Sequence, residues 1–155
     1  MLLGKTNITL DTKGRVAIPA RYREQLLDAC DGKLVVALNP FDGCLNIYPH
    51  GEWLKCMRKM EQVEDKSQNF RDVQRIIYSN SHEIDMDGSG RVLVPQELRV
   101  QIGLEKNAVL VGHNDKFELW SESDWLRVSK EGTEKLMASQ SSSACLLYTS
   151  DAADE

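Results

Sequence analysis

The 155 residues are 41% hydrophobic and 28% charged, with a formal net charge of −5. That apolar content suits one compact core or two small interlocked ones, and no apolar run nears the ~20 residues that span a bilayer. Lys5 falls early with no small-residue cleavage site after an apolar run, so no secretory leader and no membrane partner are expected, and the protein is placed in the cytoplasm.

In chain order, Asn7 to Leu10 reads as a short strand leading into Asp11-Thr12-Lys13-Gly14. In such a turn Asp bonds its own backbone and Gly supplies a positive φ. Arg15 to Ile18 is a β-branched second strand. Pro19 opens a helix, where its missing N–H costs nothing. Tyr22 and Leu26 give that helix an apolar face, and Asp31-Gly32 stops it. Leu34 to Leu38 and Leu45 to Tyr48 are strands on either side of the turn-rich Asn39 to Gly43. Glu52 begins a helix pinned by Trp53. From Trp53 to about Asn80 the chain reads as helical, with stripes of Leu54, Met57 and Met60 and of Phe70, Val73, Ile76 and Ile77. Such stripes serve as core or subunit contacts.

The same order then returns. Glu83 to Met86 and Arg91 to Val94 are strands around the Asp87 to Gly90 turn. Pro95 opens a helix faced by Leu98 and Ile102, ending at Gly103. Ala108 to Gly112 and Lys116 to Trp120 are strands, and Asp124 with Trp125 begins a last helix. The final string, Cys145 to Glu155 (CLLYTSDAADE), resembles translated sequencing-adapter sequence rather than evolved protein. Without its three acids the net charge is −2.

Asp11 to Arg23 aligns with Asp87 to Arg99 at a constant offset of 76, with six identities in thirteen positions. The identities are the Asp, the Gly, the first Arg, the Val, the Pro and the last Arg. Hydrophobic matches follow in order as far as Trp53 with Trp125. A module of about forty residues rarely buries enough surface alone. The fold class is therefore α+β: two tandem modules interleave and complete one another as a pseudo-twofold β-barrel with flanking helices. The boundaries read 5–51 for the first module, 52–80 for a helical connector, 81–124 for the second, 125–144 for a C-terminal helix and linker, and 145–155 for the tail.

A guanidinium can make two parallel bonds to guanine O6 and N7 in the major groove, provided the backbone aims it. Arg15, directly after a tight Asp-Gly turn, is aimed in that way, with Asp11 holding the hairpin. Lys13 at the turn tip, and Lys5, Arg21 and Arg23, suit phosphate contacts, which position without reading sequence; Arg23 and Arg99 read more readily as helix-surface or interface charges. Over residues 1–24 five bases outweigh two acids, a local +3 inside an acidic chain. Asp87 and Arg91 repeat the pattern among Glu83, Asp85, Glu97 and Glu105, where an internal ion pair is the favoured reading.

On Asp11-Thr-Lys-Gly-Arg15 and Asp87-Gly-Ser-Gly-Arg91 the chain resembles the MraZ family of bacterial regulators. The Gly4 to Arg23, Val73 to Arg75, Met86 to Arg91 and Leu110 to Trp120 segments carry that resemblance, which spans most of residues 1–144. It implies two AbrB-like (SpoVT-AbrB) domains of the swapped-hairpin class and a ring-shaped homo-oligomer associated with the nucleoid. It further implies a repressor of its own division and cell-wall operon that binds repeated boxes in double-stranded promoter DNA. The family's Asp-x-x-x-Arg motif maps onto Asp11 with Arg15 and Asp87 with Arg91, with DNA contact attributed chiefly to the first.

Other classes read less well. No Gly-rich phosphate loop accompanies the three histidines, and no nucleophile pairs with them, so no enzyme is expected. Cys30, Cys44, Cys56 and Cys145 form no C-x-x-C pair, so ordinary reduced thiols and no metal or other cofactor are expected. Asp85 to Gln96 approaches a calcium loop, but position twelve needs a bidentate Glu and holds Gln96 after Pro95. The runner-up is an AbrB-fold antitoxin-like or scaffold protein without operator binding.

Overall fold

The computed structural model describes residues 1–139 and 147–148. The 145–155 string lies outside the described residues apart from 147–148. The elements run β1 (Lys5–Thr9), β2 (Arg15–Ala17), α1 (Ala20–Cys30), β3 (Lys33–Asn39), β4 (Cys44–Pro49), α2 (His50–Glu61), α3 (Gln68–Ser79), β5 (Ser81–Asp85), β6 (Arg91–Leu93), α4 (Gln96–Gln101), β7 (Asn107–Gly112), β8 (Phe117–Ser121) and α5 (Glu122–Ala138). Two compact units divide the chain, one from Met1 to Glu122 and one from Ser123 onward. In the second, α5 carries its own ion pairs, Arg127 with Asp124 at 3.6 Å and with Glu131 at 3.5 Å.

Local chemistry explains the boundaries. Pro19 and Pro95 stand just outside α1 and α4 as N-caps in extended conformation, where the ring's fixed φ meets the helix without losing a hydrogen bond. α1 ends on Asp31 in the left-handed region, φ 56°, followed by Gly32 at φ 72°. The helical stretch expected from Trp53 to Asn80 is two helices. It breaks over residues 62–67, and Ser67 caps α3 by accepting from the Phe70 N–H.

The first unit holds an antiparallel sheet in the order β1-β7-β8-β4-β3-β5 and a separate two-stranded ribbon, β2-β6. Exchanging the first copy's strands for the second's maps that order onto itself. Each copy's hairpin, β3-β4 or β7-β8, takes its outer strand from the other copy: β5 pairs with β3 and β1 with β7. The modules complete one another, as a forty-residue unit requires. The expected closed barrel is not formed, because β1 and β5 remain the two ends of the sheet. After each of them the chain turns a corner into the ribbon instead of continuing the ladder.

The core lies beneath this crossing. Val16, Ile18, Val92, Val94, Leu98, Phe117 and Leu119 are fully buried, with Tyr22 set edge-on to Phe117 at 5.0 Å between ring centroids. Helices α2 and α3 lie over β3 and β4 but bury no residue completely. Their stripes are only half covered, leaving Leu54 42% and Ile76 41% exposed.

Candidate nucleic-acid interface

The ribbon pairs Arg15 with Leu93, Val16 with Val92, and Ala17 with Arg91. Alternation along a strand sends successive side chains to opposite faces. Val16 and Val92 therefore point inward and are fully buried, while Arg15, Ala17, Arg91 and Leu93 share the outward face. The ladder extends one step at each end, with Ile18 N–H donating to Gly90 O at 2.8 Å and Val94 N–H to Gly14 O at 3.0 Å.

Each arginine is held at its root by the same device. Asp11 Oδ1 accepts from the Lys13 and Arg15 backbone N–H groups, both at 2.9 Å, and Asp87 Oδ1 accepts from Ser89 and Arg91 at the same distance. Asp11 Oδ2 then takes the Arg15 Nε–H at 2.9 Å. In the second copy Arg91 Nε lies 3.3 Å from Asp87 Oδ2, an ion pair without hydrogen-bond geometry. Arg91 Nη1 also lies 4.0 Å from Asp11 Oδ2, so one carboxylate touches both copies' arginines. The Arg15 N–H bond is the largest cause holding the Asp11 carboxyl below its ordinary 3.8, and the Arg91 N–H bond does the same for Asp87. Both carboxylates thus stay ionised and keep bracing their arginines.

The Arg15 side chain retains 30% exposure and Arg91 39%, so neither guanidinium is sealed inside the protein. Lys13 is exposed at the turn tip, and Lys5 is exposed on β1. Arg21 turns toward the first strand, its Nη2 donating to Thr6 Oγ1 and to the Tyr22 hydroxyl, both at 2.9 Å. Arg23 is half-buried, with Nε donating to Ile18 O at 2.7 Å. Arg99, expected as a helix-surface or interface charge, repeats this bond onto Val94 O at 3.0 Å.

Fold and face together define a duplicated α+β protein whose two copies jointly build one arginine-bearing ribbon. The model of one family, described as "MraZ protein, putative antitoxin-like", matches the chain twice, over residues 1–76 and 77–146. The chain belongs to the MraZ family. It is similar to a protein of Alcanivorax borkumensis named "Transcriptional regulator MraZ", 44% identical over 83% of this chain and 88% of that one. A Shewanella amazonensis protein of the same name is 46% identical over 81% and 82%. A third, from Thioalkalivibrio sulfidiphilus, is 41% identical over 84% and 87%.

Proposed function

We propose that this chain is a cytoplasmic, nucleoid-associated transcriptional regulator that binds repeated boxes in double-stranded promoter DNA and represses its own division and cell-wall operon. The carrying observation is the ribbon's outward face, where Arg15 and Arg91 stand together, each rooted by an Asp. A two-stranded β-ribbon fits the major groove of B-DNA. With Asp11 on Nε, the terminal nitrogens of Arg15 serve guanine O6 and N7. Lys13, Lys5 and Arg21 serve phosphates. Arg91 belongs to the same reading face, although two carboxylates oppose it where one opposes Arg15.

The chain's net charge of −5 opposes a single phosphate-binding patch. A ring of AbrB-like subunits would present many ribbons at once and multiply weak contacts through effective concentration. The half-covered Leu54 and Ile76 on α2 and α3 suit such contacts between subunits.

The test is fluorescence anisotropy of the full chain on the fragment upstream of its own gene, against a scrambled fragment of equal length. The expected result is a preference for the promoter that Arg15→Ala removes and Arg91→Ala reduces, while sedimentation of both variants is unchanged. Equal binding to both fragments by the unaltered chain, or full preference in Arg15→Ala, overturns the reading.

A further inference from the structure

The two arginines outside the reading face hold a position that the repeat makes reciprocal. Gly14 and Gly90 close the two Asp turns at φ +88° and +77°, and both are buried. What covers them is not their own copy. Arg99, from α4, lies over Gly14: a Cβ built there would come within 2.5 Å of its guanidinium carbon and 2.8 Å of its Nε. Arg23, from α1, lies over Gly90 in the same way, with its Nε and Cδ against the glycine.

Each contact closes a ring of bonds. Arg99 Nε donates to Val94 O, and Val94 N–H donates to Gly14 O, the carbonyl of the glycine that Arg99 covers. Arg23 Nε donates to Ile18 O, and Ile18 N–H donates to Gly90 O. The planar guanidinium fits the space a glycine leaves, and its Nε ties the turn to the opposite strand at the same end of the ribbon. Gly14 immediately precedes Arg15, so the plane of that turn sets the direction of the Arg15 side chain.

We infer that Arg99 and Arg23 are reciprocal positioning residues: Arg99 from the second copy aims Arg15, and Arg23 from the first aims Arg91. This rests on the operator reading above and gives the second copy a task in recognition apart from its own arginine. The aim of one copy's reading side chain is set by the other copy's helix.

A positioning residue and a phosphate contact fail differently. Loss of a phosphate contact weakens all DNA alike and flattens the dependence of log affinity on log salt by about 0.9 per phosphate. Loss of aim costs the base contact alone, about tenfold on the preferred sequence, with scrambled DNA and the salt slope unmoved. The experiment measures full-length Arg99→Met and Arg99→Lys on the promoter and scrambled fragments across a salt series, with melting curves of each. Lysine keeps the charge but has neither the flat group for Gly14 nor the Nε–H for Val94 O.

The expected result is that both variants lose about tenfold on the promoter fragment only, at unchanged salt slope. Arg99→Lys binding like the unaltered protein overturns the inference, as does a uniform loss with a flatter slope. Should Arg99→Met fail to fold, Arg99→Lys alone decides. An unaltered chain that does not prefer the promoter sinks the operator reading and this inference with it. Preference that survives in Arg99→Lys sinks this inference only.

Discussion

Replacing Gly14 by alanine places a methyl group where the Arg99 guanidinium now lies, in a backbone conformation that L residues avoid. A left-handed φ costs a residue with a Cβ about 1–2 kcal/mol. Arg99 must also leave, breaking its bond to Val94 O, a further loss of about 1 kcal/mol. The expected destabilisation is ~2–3 kcal/mol from one methyl group. Gly88 supplies the control within the same chain: it is exposed, nothing lies within 4 Å of its built Cβ, and its φ is outside the left-handed range. Gly88→Ala should stay within about 0.5 kcal/mol of the parent. Guanidinium unfolding of all three proteins, followed by far-ultraviolet circular dichroism at one protein concentration, measures both differences. If Gly14→Ala and Gly88→Ala unfold at the same denaturant concentration, the packing of Arg99 on the turn carries no weight and the reasoning fails.

Three further outcomes are expected. The Asp11 and Asp87 carboxyls sit below their ordinary 3.8 in the folded chain; their contribution to stability is complete above about that value and disappears as pH falls through the lower, folded one. The double variant Asp11→Asn, Asp87→Asn should therefore be less stable than the parent at pH 7 but lose less on acidification to about pH 2, a difference read from denaturation midpoints; parallel curves would refute it. Cys44 is fully buried, and burial first, then nearby Glu118 and Asp42, push its thiol up to about 12. Mass spectrometry after iodoacetamide treatment of the folded protein should find Cys30 and Cys56 alkylated ahead of Cys44, and equal rates would count against that burial. Phe117→Ala empties the site against Tyr22 and should cost ~3–5 kcal/mol in a denaturant titration, a loss below ~1 kcal/mol being incompatible with the packing described.

Much of this was legible in the residues. The six identities between Asp11–Arg23 and Asp87–Arg99 are the parts of the crossing: the Asp that roots, the Gly that makes room, the Arg that reaches out, the Val that points in, the Pro that starts the helix and the Arg that covers the other copy's glycine. The last of these was open to reading. Arg23 and Arg99 match in both copies while their neighbours Arg21 and Glu97 do not, so a charge needed twice was distinguishable from one needed once. Its packing on the other copy's glycine does not show in the spacing, because a guanidinium that fills a glycine's space leaves no mark in hydrophobic periodicity. The pairing of β2 with β6 was hidden for a different reason. Strand register across 76 residues is set by which valines meet in the core, a long-range fact that alternation within one strand does not contain. The same gap hides that the ribbon sets Arg91 beside Arg15; the ion pair expected with Asp87 is present at 3.3 Å. The barrel went further than the residues allowed, because short strands ending in Asp turns leave their sheet early.

The exchange of outer strands has a consequence for synthesis on the ribosome. Among the described residues β1 pairs with β7 alone, Thr9 meeting Asn107, so this strand waits for one made nearly a hundred residues later. At about 5–20 residues per second that wait is roughly 5–20 s, during which the opening half of the polypeptide holds Val16 and Ile18 without their covering partners. The first copy cannot complete its share of the sheet until strands of the second are made. Its maturation is paced by elongation.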